Sequence, residues 1–205
     1  MLRSKMNKQG GFTLIEVMFT IVVLAVLLSI GIPNLRDFLR NGRMTGYANE
    51  MLADINLART EAIKRRALVT VCASANPTAT SPTCAATNST SAFTGWVVFV
   101  DDADPNAAAA NDGNAVINAG ETILRRHAAI TATAKSDAGF ISFADTGFAR
   151  ASGGTASATF VVMCDTRGNV DAGSDRSAAR AVTIQRTGRP GVTRSVSGIT
   201  ALGGC

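Results

Sequence analysis

Glu16 is conspicuous for where it sits. Residues 12–32 form an apolar run of twenty-one positions in which Glu16 is the single charge. As a helix the run reaches roughly 32 Å, enough to cross the hydrocarbon core of a bilayer. A carboxylate inside that layer costs about 2.5–3.5 kcal/mol on insertion scales and usually has a partner and a task. Ahead of the run, residues 1–11 carry Arg3, Lys5 and Lys8 and no acid. That basic flank favours a cytoplasmic N-terminus, with the bulk of the chain on the far side of the membrane. A cleaved secretory signal fits poorly, because the run is long, no small-x-small site follows it and an acid lies within it. An uncleaved signal anchor is the plainer alternative.

The remaining reactive side chains are sparse. Cys72, Cys84, Cys164 and Cys205 all fall in the part expected outside the cytoplasm, where disulfides form. Four cysteines allow three connectivities. The local one, Cys72–Cys84, closes the Ala/Thr/Ser/Pro-rich loop 73–83, and Cys164–Cys205 then ties the chain end to a strand and keeps that C-terminal strand from fraying. A metal site would need a CxxC pair or several histidines. His127 is the sole histidine, expected on a strand surface beside Arg125 and Arg126. No G-x-S-x-G, P-loop or H-E-x-x-H motif occurs, so neither catalysis nor a cofactor is expected. The acidic loop from Asp101 through Asn114 suggests calcium, yet in no register does it supply both the spaced oxygen ligands and the sixth-position glycine of an EF-hand. Arg176, Arg180, Arg186, Arg189 and Arg194 stand in a C-terminal stretch without acids. They suit either phosphate contacts or a solvated basic edge strand that resists aggregation.

The chain has 205 residues, 46% hydrophobic and 17% charged, which bounds it at one globular domain plus an appendage. Its net charge of +5 drops to +2 without the first eleven residues, since 17 basic then face 15 acidic side chains. From residue 34 to 66 the pattern is helical. Leu35, Phe38, Leu39, Ala48, Met51, Leu52, Ile55, Ala58, Ala62 and Ile63 recur at steps of three and four, with Arg36, Arg40, Arg43, Glu50, Asp54 and Arg59 set off that stripe. Gly42 and Gly46 weaken its middle, and Pro33 removes a backbone donor and kinks the helix. Beyond residue 66 the period becomes two. Strands are expected over 67–73, 95–101, 121–126, 128–134, 139–144, 158–164, 179–186 and 192–196. Val69/Val71 and Val182/Ile184 alternate with polar neighbours as half-buried strands do, whereas residues 96–100 are uniformly apolar and suit a central strand.

The stretch Gly11-Phe12-Thr13-Leu14-Ile15-Glu16 resembles the type IV prepilin processing site. The resemblance implies cleavage after Gly11 by a prepilin peptidase and N-methylation of the new Phe12 amine. It also implies that Glu16 meets the Phe12 amine of a neighbouring subunit during filament assembly; Pro33 matches a position where the family's helix bends. Such a pairing is sound physically, since two opposite charges in an apolar bundle neutralise each other only in one axial register. Further along, Ala58-Arg59-Thr60-Glu61-Ala62, Gly95-Trp96-Val97-Val98-Phe99-Val100-Asp101, Glu121-Thr122-Ile123-Leu124-Arg125 and Gly188-Arg189-Pro190-Gly191 resemble the GspH/FimT family of minor pilins and pseudopilins over most of residues 10–194. Its paired cysteines look more like the FimU/FimT minor pilins.

The expected fold is α+β: a long N-terminal helix packed on an antiparallel β-domain with two disulfides. Its divisions are a leader at 1–11, a transmembrane and assembly helix at 12–33, an amphipathic helix at 34–66 and a globular domain at 67–205. The resemblance implies a minor pilin of the pilus tip or priming complex, anchored in the inner membrane with its globular domain in the periplasm before assembly with other minor and major pilins. A type II secretion pseudopilin is the second reading. A DNA-binding minor pilin is the third; its family motif is Gly-Arg-x-Arg. Here Pro190 and Gly191 follow Gly188-Arg189, which leaves Arg186, Arg189 and Arg194 as the candidate contacts.

Overall fold

The computed structural model describes residues 11–101, 113–152, 154–171 and 173–205. The acidic segment considered for calcium lies mostly outside them, as do residues 1–10 of the leader. Two compact units divide the chain, Met1–Asn41 and Gly42–Cys205. Helix α1 (Leu14–Arg65) runs through the boundary.

In the first unit, every described residue up to Arg40 is exposed. An 18-residue window there has a mean hydropathy of 2.6, with none of it buried, so this part of α1 is long and apolar enough to span a membrane. Pro33 lies inside the helix, which continues through it. Thr20 and Ser29 return their hydroxyls to the carbonyls of Val17 and Val26, so their polar groups stay paired on an apolar helix.

The second unit holds the rest of α1 and nine strands among the described residues. One antiparallel sheet contains β1 (Val69–Ser74), β2 (Gly95–Val100), β3 (Ile123–His127), β5 (Phe140–Phe143) and β6 (Ala149–Arg150), in the order β3-β2-β1-β5-β6. The other contains β4 (Thr133–Ser136), β7 (Phe160–Cys164), β8 (Arg176–Ile184) and β9 (Pro190–Ser195), in the order β4-β7-β8-β9. The apolar stripe of α1 buries Met44, Ala48, Met51, Ile55, Ala58 and Ala62 in one core with Val69, Val71, Trp96, Phe99 and Phe143. Leu35, Phe38, Leu39 and Ile63, expected in that stripe, are exposed.

Several strand expectations need correcting. β1 is buried on both faces rather than half-buried. Thr70, on the second face, donates to Asp101 at 2.7 Å, and its hydroxyl lies 2.9 Å from that of Ser142. Asp101 in turn accepts from the amides of Asn114 and Ala115. Polar side chains can be buried there because each finds a partner. The strand expected at 128–134 begins only at Thr133, and β6 is a two-residue strand the pattern missed. The last expected strand, 192–196, ends at Ser195, where helix α2 (Val196–Ala201) begins. Ser195 caps α2, accepting from the Gly198 amide. Ile199 of α2 packs on Val162, Ala179 and Ala181, which is why β8, expected to show alternation, is buried on both faces.

Both disulfides take the local connectivity. Cys72–Cys84 spans 5.5 Å between Cα atoms and Cys164–Cys205 spans 5.8 Å. The second ties the chain end to a strand, β7, as expected, but what it holds is the segment that follows α2 and not the expected terminal strand.

Asp175 secures the start of α2 from outside. Its carboxylate accepts from the Ser197 amide at 3.0 Å and the Ser197 hydroxyl at 2.8 Å. These bonds, the backbone one first, hold the carboxyl below the ordinary aspartate value. A depressed carboxyl supports the fold above its unfolded value and loses that support as pH falls through the folded one. Amide exchange across Val196–Ala201 is therefore expected to accelerate in acid, below about pH 4, beyond the intrinsic pH effect. Asp175→Asn should already exchange faster at neutral pH and show less further change on acidification.

Candidate assembly helix and the braces of the globular unit

At the start of α1, Thr13 and Glu16 form a reciprocal cap. The Glu16 amide donates to Thr13 Oγ1 at 3.3 Å, and the Thr13 amide donates to Glu16 Oε2 at 3.5 Å. This is a capping box, in which a threonine and a glutamate three residues later satisfy each other's orphan amides. The sequence reading treated Glu16 only as a charge awaiting a cation. The T-x-x-E spacing of Thr13-Leu14-Ile15-Glu16 was the signal for its second, local role. Phe12, Glu16 and the neighbouring apolar side chains are all exposed, and Glu16 shares one stretch of helix surface with Ile15, Met18, Phe19 and Val22. An exposed acid on an apolar helix surface fits a contact that removes both from solvent.

In the second unit, α1 is fastened to β2 and β3 by a polar cluster. Asp54 is 1% exposed. It accepts from Trp96 Nε1 at 2.7 Å through one oxygen and from Arg125 at 2.7 Å through the other. Asp54, expected off the apolar stripe, is nevertheless buried: the indole N–H and the guanidinium satisfy both oxygens, so it can share the buried face. His127 is likewise no free surface residue. Its ring stacks on Trp96 with centroids 3.8 Å apart and planes 10° apart, and its Nε2 lies 3.1 Å from Glu50.

A second brace closes around Gly147 and Gly188. Arg59 Nε donates to the Gly147 carbonyl at 3.1 Å. Gly188 closes the β8–β9 turn, its amide donating to Gln185 at 2.8 Å, with φ at +75°. The space where a Cβ would stand on Gly188 is only 2.1 Å from that same Gly147 oxygen. Nearby Glu61 pairs with Arg65 and Lys64. The Arg65 hydrogen bond contributes most to holding its carboxyl below the ordinary glutamate value.

The arginines proposed for phosphate contact fall at different places along β8, the β8–β9 turn and β9. Arg186 and Arg189 are exposed at the β8–β9 turn. Arg194 is exposed near the far end of β9, about 17 Å of strand from Arg189. Arg180 is buried and donates to the carbonyls of Ser177, Ala178 and Ala179. Burial first, then the neighbouring Arg194 and Arg167, pull it below the ordinary guanidinium value.

Residues 6–32 match the family described as Prokaryotic N-terminal methylation motif. Residues 47–188, covering most of the second unit, match the family described as Type II transport protein GspH.

The chain belongs to the GspH family. It is a GspH/FimT-like type IV pilin or pseudopilin by that membership and by its methylation motif. This GspH chain is also 50% identical over 40 residues to prepilin peptidase-dependent protein D of Escherichia coli (strain K12). That likeness covers 20% of this chain and 27% of the relative, so it spans about a quarter of the curated protein's length. Two crystal structures of the Pseudomonas aeruginosa (strain PAO1) type IV minor pilin FimU are similar, each at 18% identity. Their TM-scores are 0.42 and 0.43, over 75% and 78% of this chain and 94% of FimU.

Proposed function

We propose that this GspH-family chain is a minor type IV pilin, a non-catalytic structural subunit of the tip or priming complex of a pilus. The observation that carries the reading is the methylation motif at 6–32 opening directly onto a helix that is exposed throughout the first unit and apolar over residues 12–32, where it bears one acid, Glu16. In this reading prepilin peptidase cuts between Gly11 and Phe12 and the Phe12 amine is methylated, so residues 1–11 are the leader. The segment 12–33 holds the subunit in the inner membrane, with the globular unit on the periplasmic side. On assembly the helix leaves lipid for a bundle of pilin helices, and Glu16 exchanges its bond to the Thr13 amide for the Phe12 amine of a neighbour.

Glu16→Ala tests this directly. The variant should insert in the membrane as well as the wild type, since a costly charge is gone, and its incorporation into sheared filaments should fall at least about tenfold. Normal incorporation would rule out the Phe12–Glu16 pairing for this subunit.

A pseudopilin of type II secretion is the second reading, supported by the name of the matching family. Deleting the gene separates the two: loss of surface pili supports the first, and loss of exported folded proteins with pili intact supports the second. For DNA binding, the candidate contacts are the exposed Arg186 and Arg189 at the β8–β9 turn and Arg194 on β9.

A further inference from the structure

The sole histidine and sole tryptophan of the chain are in face-to-face contact across β2 and β3, and the histidine also reaches α1. Its two ring nitrogens both meet oxygen acceptors: Nδ1 lies 3.0 Å from the Ala128 carbonyl and Nε2 lies 3.1 Å from a Glu50 carboxylate oxygen. A neutral imidazole has one N–H and leaves one of these acceptors facing a lone pair. Only the doubly protonated ring donates to both.

We infer that His127 is a proton-operated brace, which tightens the globular half of α1 against β3 as the surroundings acidify. Proton uptake adds the missing donor and places a positive charge against Glu50 at the same moment. The other charged groups around the ring are already committed. From α1, Asp54 sits at the indole edge and is held by Trp96 and Arg125. From β3 itself, Arg125 is occupied by that carboxylate, and Arg126 donates to the carbonyls of Ala79 and Thr80. β2 contributes the neutral Trp96 face. Glu50 is thus the carboxylate aimed at the ring, and its exposed position keeps the gain modest. Among ordinary side chains imidazole alone changes charge between about pH 8 and about pH 5.

The full chain in detergent micelles supplies two readouts. Emission from Trp96 should fall as pH is lowered through this range, because an imidazolium in contact with an excited indole quenches it; His127→Gln should give a flat profile. Amide exchange, corrected for its intrinsic pH dependence, should show protection of α1 residues near Glu50 and of β3 rising by roughly two- to fivefold from about pH 8 to about pH 5. Glu50→Gln should abolish most of that rise while leaving the fold intact, since Glu50 is exposed. If His127→Gln does not fold, the comparison of wild type with Glu50→Gln decides alone. Equal protection at the two pH values in wild type, or a full rise retained in Glu50→Gln, would overturn the inference.

Discussion

Replacing Gly188 by alanine is expected to destabilise the globular unit by about 2–5 kcal/mol, the sum of a left-handed backbone forced on a residue with a Cβ and of overpacking. The new methyl would lie 2.1 Å from the Gly147 carbonyl oxygen, a backbone atom held in place by Arg59. Neither partner can yield without opening the junction of α1 with two turns. Gly191, three residues on, is the control. The nearest atom to its missing Cβ is the Thr183 hydroxyl at 3.5 Å, an ordinary contact, so Gly191→Ala should shift stability by no more than about 0.5 kcal/mol. Denaturant midpoints for the two variants of the Gly42–Cys205 unit make the comparison. Equal midpoints would show that the close approach at Gly188 does not support the fold.

Asp54→Ala is expected to lose about 2–4 kcal/mol, because it leaves the buried indole N–H of Trp96 without an acceptor. Arg125 contributes little to that figure, since its side chain is half exposed and regains water. Asp54→Asn should lose less, as an amide oxygen can still accept from Trp96 Nε1. Thermal unfolding of the two variants should therefore rank wild type above asparagine and asparagine above alanine. Alanine matching wild type would mean the cluster adds nothing to the packing of α1 on β2.

How far the sequence could be read follows from the range of each interaction. The long apolar helix was legible because hydropathy and a single acid over residues 12–32 are properties of consecutive residues. The amphipathic half of α1 was legible wherever its apolar period is regular. The reading failed where a polar side chain is buried through a partner far along the chain: Asp54 through Trp96 and Arg125, and Thr70 through Asp101 and Ser142. No local pattern marks such pairs. α2 was missed because Val196–Ala201 is too short to show a period, and its absence made β8 look half exposed. Both disulfides were legible, since the local pair Cys72–Cys84 leaves Cys164 for Cys205; that α2 precedes the second was not. The motif Gly188-Arg189-Pro190-Gly191 was noticed for its arginine; the structure gives its first glycine a role in packing instead.

In the proposed function a precursor becomes an assembly-competent subunit, and one mass measurement on the membrane-bound protein tests that conversion. In a host that has prepilin peptidase, the N-terminal peptide should begin at Phe12 and carry one added methyl group on its amine. Gly11→Val should keep the chain at its full precursor mass and out of filaments. A wild-type chain that still begins at Met1 in such a host would contradict the prepilin reading.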